Sequence, residues 1–150
     1  MKKHLFAVVA VLGIMSALSF SVRGDTSWET DLRKAQEQAK SNNKLVFLDF
    51  TGSDWCGYCI RLNKDILSQP EFKEYANKNL VLVEIDFPRS KPQSADLRKQ
   101  NQQLAMQYHI EGFPTIVVLN GAGHKVWQFE GYFPGGPDAF IAELEKARKG

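Results

Sequence analysis

Three short apolar runs stand out along the chain, and segments with helical spacing separate them. The runs cover residues 45–50, 80–86 and 115–119, and each is short enough and rich enough in β-branched or aromatic residues to predict a buried strand. A glycine-containing turn at 120–123 follows the third run, and residues 124–130 follow the turn. This arrangement predicts that the last two strands form a hairpin.

Helices are predicted between and around these strands. Thr26 and Glu29 have the spacing of a capping box, which predicts a first helix that starts there and ends at 41–43. Further helices are expected after position 56, between about 71 and 77, after a Ser94 cap, and from Pro137 onwards. The predicted order is α-β-α-α-β-α-β-β-α. It indicates an α/β fold with a central mixed β-sheet flanked by helices.

The first 24 residues differ in character from the rest. A basic start at Lys2 and Lys3 precedes an apolar run of about 14 residues at 5–18, and small or polar residues follow it. This run is shorter than the roughly 20 residues needed to span a bilayer. The layout predicts a secretory signal peptide at 1–24 and one exported domain at 25–150, with an uncleaved anchor as the alternative.

The charge of the chain also changes at this boundary. The whole sequence carries a formal net charge of +2, and Lys2, Lys3 and Arg23 are the basic residues of the first 24. The remaining chain therefore has a net charge of −1, with 16 basic and 17 acidic residues. A nearly neutral body argues against nucleic-acid binding. Nothing in the sequence requires more than a monomer.

Cys56 and Cys59 are the two cysteines, and they lie just after a predicted buried strand at the start of a predicted helix. A thiol there faces unpaired backbone N–H groups and the positive end of the helix dipole, which lowers its pKa. The thiolate is the species that attacks a disulfide. Cys59 lies nearly one turn further on, so it can release a substrate bound to Cys56. The pair predicts thiol-disulfide exchange.

Other interpretations of the pair compete with exchange. A permanent disulfide across so short a loop would constrain little unfolded-state entropy. Zinc bound by both cysteines with His109 and His124 lacks finger spacing, and haem attachment needs a histidine where the chain has Ile60. We therefore expect no metal and no cofactor.

The motif WCGYC at 55–59, followed by GFPT at 112–115, resembles the thioredoxin superfamily. With the export signal, the chain is similar to the bacterial periplasmic Dsb-type oxidoreductases. The resemblance implies a thioredoxin-like fold and a cis peptide bond before Pro114. It also implies that the backbone of Phe113 pairs with an extended substrate segment.

The resemblance also implies supporting roles around the cysteines. Asp49 would be a buried carboxylate beneath Cys59 that relays its proton, although it lies one residue further from Cys56 than in thioredoxin. A capping or loop position is the alternative for Asp49. Trp55 either packs over the dithiol or is an ordinary half-buried tryptophan, while Gly57 and Tyr58 leave the turn accessible.

Glu84 interrupts the second apolar run. It either faces Asp49 across two neighbouring strands or points to solvent at an edge.

The direction of exchange is predicted from the residues between the cysteines. Gly57 and Tyr58 include no histidine, which in strong oxidants stabilises the reduced thiolate, and Asp54 opposes a thiolate nearby. We expect a periplasmic reductase of cysteine-containing exported proteins that receives electrons from a membrane-embedded dithiol donor. A Gly-Tyr pair is also similar to the periplasmic isomerases, so an isomerase remains an alternative. A redox-inactive binding module would normally have lost one cysteine.

Overall fold

A five-stranded sheet lies at the centre of the computed structural model, which describes residues 26–150. The predicted signal peptide lies outside the described residues. The strands are β1 (Trp28–Glu29), β2 (Leu45–Thr51), β3 (Leu80–Asp86), β4 (Thr115–Leu119) and β5 (Lys125–Glu130). The helices are α1 (Leu32–Asn42), α2 (Gly57–Leu62), α3 (Pro70–Asn79), α4 (Ala95–Gln107) and α5 (Gly136–Lys149), with a π-helical turn at Asn63–Leu67.

The sheet order is β1-β3-β2-β4-β5. Strands β1, β3 and β2 are parallel, β4 is antiparallel to β2, and β4 and β5 form the predicted hairpin. The prediction of an α/β fold with a mixed central sheet is therefore confirmed.

Each face of the sheet is covered by its own apolar core, because neighbouring side chains of a strand point to opposite faces. On one face, Phe47 and Leu82 pack against α2, α3 and α5, where Phe140 is fully buried. On the other face, Leu48 and Val83 pack against α1 and α4. Burial on both faces explains why β2 and β3 are continuous apolar runs.

The beginning of the first helix was predicted wrongly. Trp28 and Glu29 form the edge strand β1, and α1 begins only at Leu32, with Asp31 as its N-cap. The Glu29 carboxylate accepts hydrogen bonds from Gln38 Nε2 and Lys34 Nζ instead of reaching back to Thr26. Pairing of β1 with β3 therefore prevails over the local capping pattern.

The helix after Cys56 also differs from the single helix that was expected. It is α-helical only from Gly57 to Leu62 and continues as a π-helical turn to Leu67. Ile66 and Leu67 are still buried, so the turn keeps the predicted apolar residues in the core. π-Helical turns often occur next to functional sites.

The predicted Ser94 cap is present, with Ser94 Oγ accepting the Leu97 N–H at 3.2 Å. In the described part of the chain, no helix combines the length and the apolar character that crossing a bilayer requires.

Candidate active site

The two cysteines lie where the chain leaves β2 and enters α2. Cys56 is the N-cap of α2, and its Sγ accepts a hydrogen bond from the Cys59 N–H at 3.2 Å. The two sulfurs form a disulfide, with 5.2 Å between the Cα atoms. In the reduced protein, this N–H and the helix terminus favour a thiolate at Cys56 over a thiol.

The surface around the disulfide is open on the side of the dipeptide. Gly57 is exposed, and apart from its chain neighbours and the backbone of α2 no atom lies within 4 Å of the position that a Cβ would occupy. Tyr58 is 64% exposed, and Ile60 is exposed beside it. A polypeptide can therefore approach this turn without displacing a side chain of the core.

Trp55 is held beside the turn by contacts on several sides. Its Nε1 donates to the Phe87 carbonyl at 2.8 Å, and the Arg89 guanidinium lies 3.8 Å from the ring centroid. The ring also lies directly on Gly52, where a Cβ would be 2.5 Å from an indole carbon. Because glycine alone leaves that space, Gly52 is a structural requirement for this position of Trp55.

Asp54 lies in the same loop, and its carboxylate is hydrogen-bonded to the backbone of the 87–90 loop. Its oxygens accept the backbone N–H groups of Arg89 and Ser90 at 3.0 and 2.6 Å. These hydrogen bonds lower the pKa of the Asp54 carboxyl and attach the 87–90 loop to the cysteine loop. The expected opposition of Asp54 to a Cys56 thiolate is thereby partly offset by the two N–H groups.

The loop before β4 adjoins this region. The Phe113–Pro114 peptide bond is cis, and the Phe113 ring lies 6.0 Å from Trp55, centroid to centroid. The Pro114 carbonyl accepts the Gly131 N–H at 2.8 Å. Among residues 26–150, no backbone hydrogen bond involves Phe113. Its N–H and C=O are therefore available to a bound segment.

Asp49 lies in the middle of β2 and is 7% exposed. Its Oδ1 is buried without a hydrogen-bond partner. Burial, and to a smaller extent the negative charges of Glu84 and Asp86, together raise the pKa of the Asp49 carboxyl from 3.8 to about 7. Asp49 is thus neither a helix cap nor a loop residue, and it can change its protonation state near neutral pH.

A cleft of about 350 Å³ joins Asp49 to the second cysteine. Its lining includes Cys59, Asp49 and Glu84, and the π-helical turn contributes Asn63 and Lys64. The cleft provides space for water between the buried carboxyl and the surface.

Glu84 shows features of both alternatives that the sequence left open. It is paired in register with Asp49 on neighbouring parallel strands, yet it is only half buried. No sequence pattern indicates the contact between Arg89 and Trp55, because it depends on a loop folding back across the surface.

The two histidines considered as zinc ligands do not belong to a metal-binding cluster within the described residues. His109 and His124 are both exposed. Within residues 26–150, no group of three or more histidine, cysteine, aspartate or glutamate side chains could hold a metal ion.

Comparisons with known proteins agree with this geometry. The family model described as a thioredoxin-like domain matches residues 32–148. The disulfide bond reductase DsbH of Chlamydia pneumoniae is 38% identical over 122 residues, which cover 81% of this chain and 72% of that protein. A solved structure titled DsbH Oxidoreductase superposes with a TM-score of 0.77 at 37% identity, covering 82% of this chain and 84% of the other.

A second relative is much longer than the matched region. The thioredoxin-related protein DsbJ of Chlamydia pneumoniae is 28% identical over 67% of this chain, but the match covers 29% of DsbJ. The likeness to DsbJ therefore concerns one part of that protein.

Proposed function

The chain belongs to the thioredoxin-like family and is a thiol-disulfide oxidoreductase, and we propose that it reduces disulfide bonds of exported proteins through Cys56 and Cys59. The observation that carries the proposal is the helix-capping position of Cys56, whose sulfur accepts the Cys59 N–H. Similarity to the reductase DsbH over most of both chains supports the same direction.

The reaction proceeds in two exchanges. The Cys56 thiolate attacks one sulfur of a substrate disulfide, a mixed disulfide forms, and the first substrate thiolate leaves and takes up a proton. Cys59 then loses its proton and attacks Cys56. The second substrate sulfur leaves as a thiol, and the Cys56–Cys59 disulfide remains. Two electrons have passed from the protein to the substrate.

The loop at Phe113 is proposed to hold the substrate segment. Its unpaired backbone N–H and C=O would form strand-like hydrogen bonds with an extended polypeptide beside Cys56. Pro114 fixes this loop, while Trp55, Gly57 and Tyr58 form the accessible surface around the sulfur. The arrangement selects an extended segment rather than a particular side chain.

Asp49 is proposed to take the proton of Cys59. Its carboxyl lines the same cleft as Cys59, and its pKa of about 7 lets it accept and release a proton near neutral pH. The proton can return to water through the cleft.

The reducing direction follows from what stabilises the Cys56 thiolate. Oxidants gain their driving force from a strongly stabilised reduced form. Here the evident stabilisers are the helix terminus and one N–H, and the dipeptide contains no histidine. We therefore infer a fairly reducing couple, closer to roughly −270 mV than to roughly −120 mV.

Export and reduction by a partner complete the proposal. Residues 1–24 would direct the chain to the periplasm as a signal peptide and leave the domain at 25–150, which we propose is a monomer. The sequence contains no nicotinamide or flavin motif. The disulfide would therefore be reduced again by a membrane-embedded dithiol donor.

Trapping of substrates tests the exchange directly. We expect a Cys59→Ser variant, expressed with its export signal, to accumulate mixed disulfides with exported proteins through Cys56. A Cys56→Ser variant is the matched control and should trap none. Recovery of no mixed disulfide from Cys59→Ser, or full cellular function of Cys56→Ser, would contradict the exchange and favour a binding module.

An assay with scrambled ribonuclease separates reductase from isomerase. A reductase lowers the number of disulfides in proportion to the electrons supplied, whereas an isomerase restores ribonuclease activity without net electron input. We expect the first behaviour, and efficient refolding without an electron donor would contradict it.

A further inference from the structure

Asp49 and Glu84 form a pair of carboxyl groups beneath the second cysteine. They are directly opposite each other on the parallel strands β2 and β3, and in a parallel ladder such partners have the same orientation toward the sheet face. That face carries α2, and both side chains line the cleft that reaches Cys59. The Asp49 Oδ1 is buried and has no hydrogen-bond partner within the described residues.

Glu84 is also accessible from the side of β3 that faces the edge strand β1. The edge strand β1 ends opposite Val83, one residue before Glu84, so β1 does not cover β3 at this position. Glu84 consequently lines a second cleft of about 250 Å³, which is bordered by residues 91–94. Glu84 therefore borders both the cleft that contains Cys59 and this second cleft.

The charged groups around Glu84 come from three parts of the chain. Asp49 lies opposite on β2, Asp86 lies two residues further along β3, and Lys91 lies in the following loop. Burial raises the pKa of Glu84, Asp86 raises it further, and Lys91 lowers it. The Lys91 ammonium donates to Ser53 Oγ, so it is shared with another acceptor. Lys64 is the cation of the first cleft.

We propose that the negative charge of Glu84 sets the pH at which Asp49 can accept the proton of Cys59. The inference rests on the proposed exchange through Cys56 and Cys59. A negative charge on Glu84 disfavours ionisation of the neighbouring Asp49 carboxyl, because like charges repel each other. Glu84 acts through Asp49, so it is a positioning residue and does not touch the substrate.

The proton balance of the second exchange includes this pair. The Cys59 S–H bond breaks, its proton passes to the ionised Asp49 carboxylate, and the new thiolate attacks Cys56. The bond between Cys56 and the substrate sulfur breaks, and the leaving thiolate takes a proton from water. Asp49 then returns this proton to water through the cleft, so no net proton remains on the protein.

Stopped-flow reaction of the reduced protein with 5,5′-dithiobis(2-nitrobenzoate) isolates this step. Attack by Cys56 releases one thionitrobenzoate, and attack by Cys59 on the mixed disulfide releases the second in a later phase. We expect the rate of the second phase to rise with pH in the wild type. Glu84→Gln removes the neighbouring charge, so the midpoint should move by about one pH unit to lower pH.

Three further variants make the result specific to the pair. Glu84→Asp keeps the charge and should keep the wild-type midpoint. Glu37→Gln removes the same charge from the exposed surface of α1 and should also leave it unchanged. In the Asp49→Asn background, adding Glu84→Gln should cause no further shift.

Contrary results separate the two proposals. An unshifted midpoint in a folded Glu84→Gln variant, or a shift that persists in the Asp49→Asn background, would overturn the role of Glu84. If Glu84→Gln does not fold, the test uses Glu84→Asp. A midpoint of Glu84→Asp that differs from that of the wild type would then overturn the role of Glu84. Absence of a second phase in the wild type would instead overturn the proposed exchange by Cys59.

Discussion

Replacing Asp49 by asparagine removes one buried ionisation while leaving the side chain nearly the same size. Asp49 is 7% exposed, lies among apolar residues of β2, and has one oxygen without a partner. An asparagine cannot become charged there. We therefore expect Asp49→Asn to stabilise the oxidised protein at neutral and alkaline pH.

The sign and size follow from the raised pKa of this carboxyl. Between pH 3.8 and about 7 the folded protein retains a proton that the unfolded chain has lost, so the free energy of unfolding falls as pH rises. The loss is complete above about pH 7. At about 1.4 kcal/mol per pH unit, the difference corresponds to roughly 4 kcal/mol. Asp49→Asn should be more stable than the wild type by up to that amount at pH 8, with little difference at pH 4.

Guanidinium chloride unfolding of the oxidised domain at several pH values between about 4 and 8.5 measures this. The oxidised form is used because its cysteines do not titrate. Glu37→Gln is the control for loss of an exposed negative charge. If the wild type and Asp49→Asn gave parallel curves of stability against pH, the buried ionisation inferred for Asp49 would be wrong.

Three other substitutions test the packing and capping described above, each by denaturant unfolding. Gly52→Ala places a Cβ 2.5 Å from the indole of Trp55 and should lower stability by about 1–3 kcal/mol; an unchanged midpoint would show that Trp55 is not held there. Phe140→Ala empties a fully buried site and should cost about 3–5 kcal/mol; a loss below about 1 kcal/mol would contradict the assigned core. Ser94→Ala removes the acceptor for the Leu97 N–H and should cost about 0.5–2 kcal/mol, whereas Ser94→Asp should retain most of the cap.

Local patterns were sufficient for strands β2 to β5 and for the start of α2. The apolar runs of β2 and β3 are long enough to indicate strands buried on both faces, and Ser94 is a capping residue directly before a helical pattern. The position of Cys56 at the start of a helix could also be predicted, because a buried strand, a short loop and a helix follow one another around it. In each case, neighbours in sequence determine the structure.

Features that depend on distant segments could not be predicted in this way. The strand β1 has two residues, and its pairing with β3 overrides a local capping box. The contact of Arg89 with Trp55 requires the 87–90 loop to fold onto the cysteine loop through Asp54. Likewise, the position of Glu84 depends on where β1 ends, which no pattern around Glu84 itself reveals.

The reduction potential of the mature domain tests the central claim most directly. The protein is equilibrated with dithiothreitol or glutathione buffers, and its free thiols are then alkylated. This gives the fraction of reduced Cys56 and Cys59 at each buffer redox potential. A freely exchanging, reducing couple predicts a midpoint nearer to about −270 mV than to about −120 mV. A midpoint above about −170 mV, or a disulfide that none of these buffers reduces, would contradict the account.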